Sequence, residues 1–241
     1  MFAMVAMRAN ICYAVISVAR FTANPGLSHW HALVRIFQYL KGTSALELTY
    51  SRIVDTSAPL FYGYSDADWA TTDIDEGRIC IGYCVFLSGA AIFRLTRFWK
   101  PCLFTFEGEL GALTEVAKTT IAARGMLASI PLSWYDENKD EPTTLLIDAA
   151  ATKQATDNPK HHSQAKHMET FLAWICHVVQ EGLIRTQTIP RAENLADFMV
   201  KAHTKASHRS HTRQLMGPYQ NLKIRLTSGE SLKRRIEETL E

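Results

Sequence analysis

The stretch from residue 78 to residue 95 leaves a chain little choice of fold. Residues 78–87 are rich in branched and aromatic side chains, residues 90–95 resume that character, and only Ser88-Gly89 stands between them. Two strand-like runs across so short a turn make an antiparallel hairpin. Residues 60–64 form another strand-like run upstream, and residues 73–77 an acidic turn. The first half of the domain is therefore expected to be an antiparallel meander, with residues 45–50 as a short strand before it. Downstream the pattern changes. Residues 107–130 read as a long helix with Leu110, Leu113, Ala117 and Ile121 on one face. Residues 143–148 are apolar without alternation, as in a buried central strand. A short helix at 149–156, a long helix at 163–180, a strand at 183–189 and a helix at 193–202 complete the series. Strands first, then alternating helices and strands, imply a mixed α/β sheet with helices on both faces.

Ahead of the meander, residues 10–21 and 28–41 read as two helices joined at Asn24-Pro25-Gly26. Asn10 and Ser28 are the expected N-caps. Trp30, Leu33, Val34, Phe37 and Leu40 recur at helical spacing and form one apolar stripe. A helical hairpin of this kind needs a surface to pack on.

The chain has 241 residues, 47% of them apolar, so it can bury a sizeable core. Its net charge is only +2, but the charge is unevenly placed. Residues 55–76 are acidic, whereas residues 201–235 carry Lys201, Lys205, Arg209, Arg213, Lys223, Arg225 and Lys233-Arg234-Arg235. An acidic pole beside a basic segment suits a metal site next to a nucleic-acid surface, although a solvated tail would look the same. The 5 cysteines have no paired framework and are expected as buried thiols in a reducing compartment. No run approaches the ~18 apolar residues of a membrane span. The start lacks a basic region and a cleavage site, so it is not read as a signal peptide. The expected location is intracellular, in cytoplasm or nucleus, without secretion or membrane attachment.

Four acidic residues fall at expected strand ends or helix starts: Asp66, Glu109, Asp148 and Asp197. In the order strand, helix, strand, helix they suggest a cluster of oxygen ligands for hard divalent cations. Such clusters perform two-metal phosphodiester hydrolysis.

The motifs around them resemble the C-terminal ribonuclease H region of copia-type retrotransposon Pol polyproteins. Phe21-Thr22-Ala23-Asn24-Pro25, His29-Trp30 and Tyr39-Leu40-Lys41-Gly42-Thr43 are similar to the segment that connects the reverse transcriptase palm to that region. Gly63-Tyr64-Ser65-Asp66-Ala67-Asp68-Trp69-Ala70 resembles the first catalytic strand, and Gly82-Tyr83 with residues 85–92 the next two. Asn158-Pro159, His162-Ser163 and Lys166-His167 resemble a block before the long helix, and Leu195-Ala196-Asp197 lies in the last catalytic helix. The resemblance runs from about residue 8 to about residue 217.

What the resemblance implies is a ribonuclease H-like five-stranded mixed sheet with helices on both faces, preceded by a helical hairpin. It implies a connecting-region remnant over 1–50, a ribonuclease H-like domain over 58–205 and a basic, partly helical tail over 206–241. Asp66 would bridge two Mg²⁺ ions (Mn²⁺ being the alternative), with Glu109 and Asp148 on one ion and Asp197 on the other. The substrate would be RNA in an RNA–DNA hybrid. Read from their own placement near a helix start, His162, Lys166 and His167 are candidate nucleic-acid contacts or, equally, a solvated helix face.

The departures bear on activity. Phe104-Thr105-Phe106-Glu107-Gly108-Glu109 replaces the family's polar approach to its long helix, which leaves Glu107 as an alternative to Glu109. Asp148 is followed by Ala149-Ala150-Ala151 rather than polar residues, and Phe93-Arg94 stands where Ser-Trp is common. With no reverse transcriptase active-site segment, the chain is expected not to be a polymerase but a truncated, drifting element copy. Two functions stay open: a working hybrid endoribonuclease, or an inactive remnant that folds and at most binds nucleic acid. Oligomeric state is not legible in the sequence.

Overall fold

The computed structural model describes residues 1–50, 61–69, 78–102, 104–131, 140–157 and 168–217. Its centre is a five-stranded sheet in the order β3-β2-β1-β4-β5. The strands are β1 (Phe61–Trp69), β2 (Arg78–Leu87), β3 (Ala90–Pro101), β4 (Thr143–Ile147) and β5 (Ile184–Thr188). β1 pairs antiparallel with β2, and β2 with β3, as the hairpin pattern requires. Ser88 at φ 51° and Gly89 at φ 81° make the turn between β2 and β3. Positive φ at both positions gives the twist that two right-handed strands need. β4 runs parallel to β1 and to β5.

Helices cover both faces. Side chains alternate along β2, so Tyr83 and Val85 face one side and Cys84 and Phe86 the other. On the first side lie α4 (Thr105–Ala128) and α6 (Glu169–Gln180). Leu110, Leu113, Val116, Leu172 and Ile175 close there on Leu145 and Ile147 of β4. The intervening helix α5 (Ala150–Asp157) packs beside α6. On the second side, Cys84, Phe86 and Ala91 meet Met4, Ile11, Leu195, Phe198, Met199 and Leu215. Apart from Leu195, which lies just before α7, these come from α1 (Phe2–Ala6), the short 3₁₀ turn at Ala9–Ile11, α7 (Asp197–Val200) and α8 (Lys205–Leu215). Each fully buried Phe or Leu side chain contributes ~1.5–3 kcal/mol, so either face alone would hold its helices firmly.

The N-terminal hairpin is α2 (Cys12–Ala19) and α3 (Leu27–Gly42). Asn10 is not an N-cap: it lies buried in the 3₁₀ turn, where its amide donates to the Tyr39 hydroxyl at 2.6 Å. Ser28 does not cap either. Gly26 holds the cap position of α3, and its N–H donates to His29 Nδ1 at 2.9 Å. The apolar stripe of α3 is only partly covered. Ile36, Tyr39 and Leu40 pack into the second core, whereas Trp30 is 59% and Phe37 62% exposed. Arg94 fastens α1 to the sheet, donating to the carbonyls of Met4 at 3.0 Å, Val5 at 2.8 Å and Ala91 at 2.8 Å. This gives the Phe93-Arg94 departure a structural use.

Three further expectations change. Residues 45–50 form no strand; the outer positions of the sheet belong to β3 and β5, and Thr49 N–H donates instead to the Met216 carbonyl at 2.8 Å. β1 does not end at Asp66 but continues through it, because β2 offers partners as far as the Trp69↔Ile79 pair. The helix expected at 193–202 shrinks to α7, since Asn194 is extended and its side-chain oxygen takes the Ala196 N–H at 3.1 Å. The first residues of the expected 163–180 helix, 163–167, lie outside the described residues.

Candidate functional site

Asp66 sits in β1 opposite Gly82 of β2. The parallel register of β1 with β4 matches Tyr62 to Thr144 and Tyr64 to Leu146. Two residues further along both strands, that register brings Asp66 beside Asp148, which directly follows β4. Glu109 enters from the start of α4. Helix and sheet come close there because Gly108 has no side chain: a Cβ on it would lie 2.7 Å from Ile79 Cδ1. One carboxylate oxygen each from Asp66, Glu109 and Asp148 lies within 4.8 Å of the others. Glu107, the alternative, is buried but is not part of this group.

This is an uncomfortable place for negative charge. Asp66 is only 3% exposed, and its Oδ2 is buried without a hydrogen-bond partner. Burial first, then the charges of Asp148 and Asp197, push the Asp66 carboxyl up to about 8. Burial, then Asp66 and Asp148, push Glu109 up to about 9. Both shifts mean that the ionised forms lack enough compensating positive charge. A buried carboxylate oxygen with nothing to bind, in a group of oxygen donors, is what a hard divalent cation satisfies. The residues therefore fit such an ion.

Asp197 stands apart from the three. It begins α7, and its carboxylate is paired with Lys201, with Arg191 Nε at 3.6 Å and with His203 Nε2 at 3.5 Å. The position of α7 depends on Gly82, where a Cβ would meet Met199 Cβ at 2.6 Å. Thr96 also donates to the Met199 carbonyl at 2.8 Å.

Several participants carry no mark in the sequence. Asn194, with 0% exposure, donates to the Ser65 carbonyl at 3.0 Å and to Asp148 Oδ1 at 3.3 Å. It joins β1, the end of β4 and the approach to α7. Its place three residues before an acidic helix start is the available signal, but nothing local reveals so distant a partner. Arg191, Lys201 and His203 look like scattered basic residues along the chain; only the fold gathers them on Asp197. His162, Lys166 and His167 lie outside the described residues.

The strand order, with an antiparallel hairpin on one side and parallel pairs on the other, two helical layers and carboxylates at the central strands, defines a ribonuclease H-like domain. No protein-family profile matches the chain. Relatives are nonetheless clear. The chain is 33% identical over 202 residues to a retrovirus-related Pol polyprotein from transposon TNT 1-94 of Nicotiana tabacum, covering 83% of this chain. It is 26% identical over 215 residues to that of transposon RE2 of Arabidopsis thaliana, covering 86% of this chain. These homologues are Pol polyproteins of plant copia-type transposons, and the chain spans 14% of the length of each. Secreted RxLR effector protein 161 of Plasmopara viticola is 32% identical over 122 residues, which is 50% of this chain and 83% of that protein. Among solved structures, LC11-RNase H1 isolated from compost is similar at TM-score 0.44 and 16% identity, over 58% of this chain and 91% of that one. No helix among the described residues is long and apolar enough to cross a membrane.

Proposed function

We propose that the chain is a metal-dependent hydrolase of the ribonuclease H type that cuts RNA in RNA–DNA hybrids. The observation that carries this reading is the convergence of Asp66, Glu109 and Asp148, in a chain of Pol ancestry. Asp66, Glu109 and Asp148 would hold Mg²⁺, with Mn²⁺ as a substitute, and Asp197 would be the fourth ligand. A bound divalent ion supplies Lewis acidity, easing ionisation of an attacking water and offsetting charge on the leaving oxygen.

The chain's own residues prepare the site. Asp66, held rigidly in mid-strand, presents an unsatisfied oxygen. Asn194 holds the Asp148 carboxylate at a fixed angle to β1. Lys201, Arg191 and His203 surround Asp197, so the far end of the site presents donors to a phosphate. RNA would be chosen over DNA through its 2′-hydroxyl and through duplex shape.

In the same reading, residues 1–50 are a connecting region docked on the second face of the sheet, residues 58–205 the catalytic domain and residues 206–241 a basic tail that starts within α8. The protein would work inside the cell, in cytoplasm or nucleus and away from membranes, and its buried cysteine thiols suit a reducing compartment.

The test is a labelled RNA–DNA hybrid incubated with purified protein in Mg²⁺, in Mn²⁺ and in chelator. Metal-dependent cleavage of the RNA strand, abolished in Asp66→Asn, is the expected result. Salt-dependent binding with no cleavage in either metal would leave an inactive remnant that binds nucleic acid.

A further inference from the structure

A groove of about 1590 Å³ separates the N-terminal hairpin from α8. Apart from Lys201 and His203 at one end, none of its lining takes part in the proposed hydrolysis. Among the described residues its walls carry Arg35, Lys201, Lys205, Arg209 and Arg213 against a single acidic side chain, Glu47. Three of the cations, Lys205, Arg209 and Arg213, recur every fourth residue on α8 and so share one helix face. Their spacing along the helix axis is ~6 Å, a step of the same order as that between successive phosphates of a nucleic-acid strand.

Arg35 faces this row from α3. Arg35, Lys205 and Arg209 are exposed and make no ion pair among the described residues. Lys201 ties one end of the groove to the catalytic cluster, because it both lines the groove and pairs with Asp197. Tyr13 and Tyr39 on the hairpin side add aromatic surface.

We infer that this groove is a phosphodiester track, carrying one strand of the nucleic acid away from the carboxylate cluster with its phosphates on Arg35, Lys205 and Arg209. The assignment rests on the hydrolase reading for the identity of the strand, an RNA–DNA hybrid, while the groove's charge is independent of it. It also gives the N-terminal hairpin a purpose, as the second wall of the track.

The experiment measures binding and cutting separately. Binding of a fluorescent hybrid is followed by anisotropy in chelator over a range of salt, using the full chain, the triple variant Arg35→Ala/Lys205→Ala/Arg209→Ala, and Lys118→Ala as a control on α4. Thermal melts confirm that each variant is folded, as these exposed positions allow. The triple variant should bind on the order of tenfold more weakly at low salt, and its log–log salt slope should be shallower by about 0.9 for each duplex phosphate that is no longer neutralised. The control should follow wild type.

Unchanged affinity and slope in the triple variant would overturn the track even if the wild-type protein cuts hybrid. Failure of the wild type to bind at low salt would overturn it as well. Groove-dependent binding by a protein that never cuts would instead leave the track standing and remove the hydrolase reading. A wild-type dimer dispersed by the triple variant, with hybrid binding unaltered, would assign the groove to a second copy of the chain and overturn the track.

Discussion

Asn194 donates to Asp148 at 3.3 Å while also holding the Ser65 carbonyl, the residue before Asp66, at 3.0 Å. One buried amide thus sets the spacing between two strands at the point where their carboxylates must meet. Its own oxygen is occupied by the Ala196 N–H, so the same residue also aims α7 and with it Asp197.

Asn194→Ala should therefore act on both stability and site. It strands a buried carbonyl and a carboxylate oxygen, at a cost of ~1–3 kcal/mol. A denaturant melt should show that loss, and hybrid cleavage should fall further than the stability change explains. A melt identical to wild type would mean that the three hydrogen bonds contribute nothing.

Without metal, stability should fall as pH rises. Asp66, ordinarily at 3.8, is raised to about 8, and Glu109, ordinarily at 4.5, to about 9. The folded state then binds protons that the unfolded state releases. This contribution is complete below the unfolded values and is lost as pH climbs through the folded ones. Melting midpoints in chelator should decline between about pH 4 and 9, and Asp66→Asn should flatten the decline.

Mg²⁺ should reverse that trend if, as proposed, it binds the native cluster alone. At a hundredfold excess over its dissociation constant the gain is about 2.7 kcal/mol. Calorimetry at pH 8 with and without the ion measures it, and Asp66→Asn should respond far less. Equal midpoints for wild type with Mg²⁺ and with chelator would argue against a metal site.

Gly82→Ala tests the placement of α7. The new Cβ would lie 2.6 Å from Met199 Cβ, so the helix must shift. Overpacking of this kind costs ~1–3 kcal/mol. Displacement of Asp197 should lower cleavage alongside the melting temperature. Gly125, whose Cβ would meet nothing within 4 Å, is the matched control.

His208 should make the seam between hairpin and α8 acid-sensitive. Its Nε2 donates to the Asn10 carbonyl at 3.1 Å, and its ring stands edge-on to Phe198 and Tyr39. Burial, together with His203 and His211, holds its pKa below the ordinary value. A lowered histidine pKa gives stability that is present above the unfolded value and is lost as pH falls through the folded one. Hydrogen exchange of the 3₁₀ turn and α8 should quicken on mild acidification in wild type, and less so in His208→Gln.

Much of this architecture is written locally. The β2–β3 hairpin follows from branched residues on either side of Ser88-Gly89, the long α4 from its helical period, and the order of elements from the change of period after residue 101. Asp66, Glu109, Asp148 and Asp197 can be picked out because acidic side chains near element ends are conspicuous, and the family motifs around them can be recognised in sequence. What the sequence does not disclose are relations between residues far apart along the chain. Whether Glu107 or Glu109 meets Asp66 depends on the rotation of α4 over Gly108. The role of Asn194 depends on two strands more than 40 residues behind it. The packed stripe of α3 is Ile36, Tyr39 and Leu40, rather than one through Trp30 and Phe37, because the hairpin docks on the second face of the sheet. Hydrophobic period encodes that a helix has an inward face, but the direction of that face is set only by the partner surface, and that surface exists only once the sheet has closed.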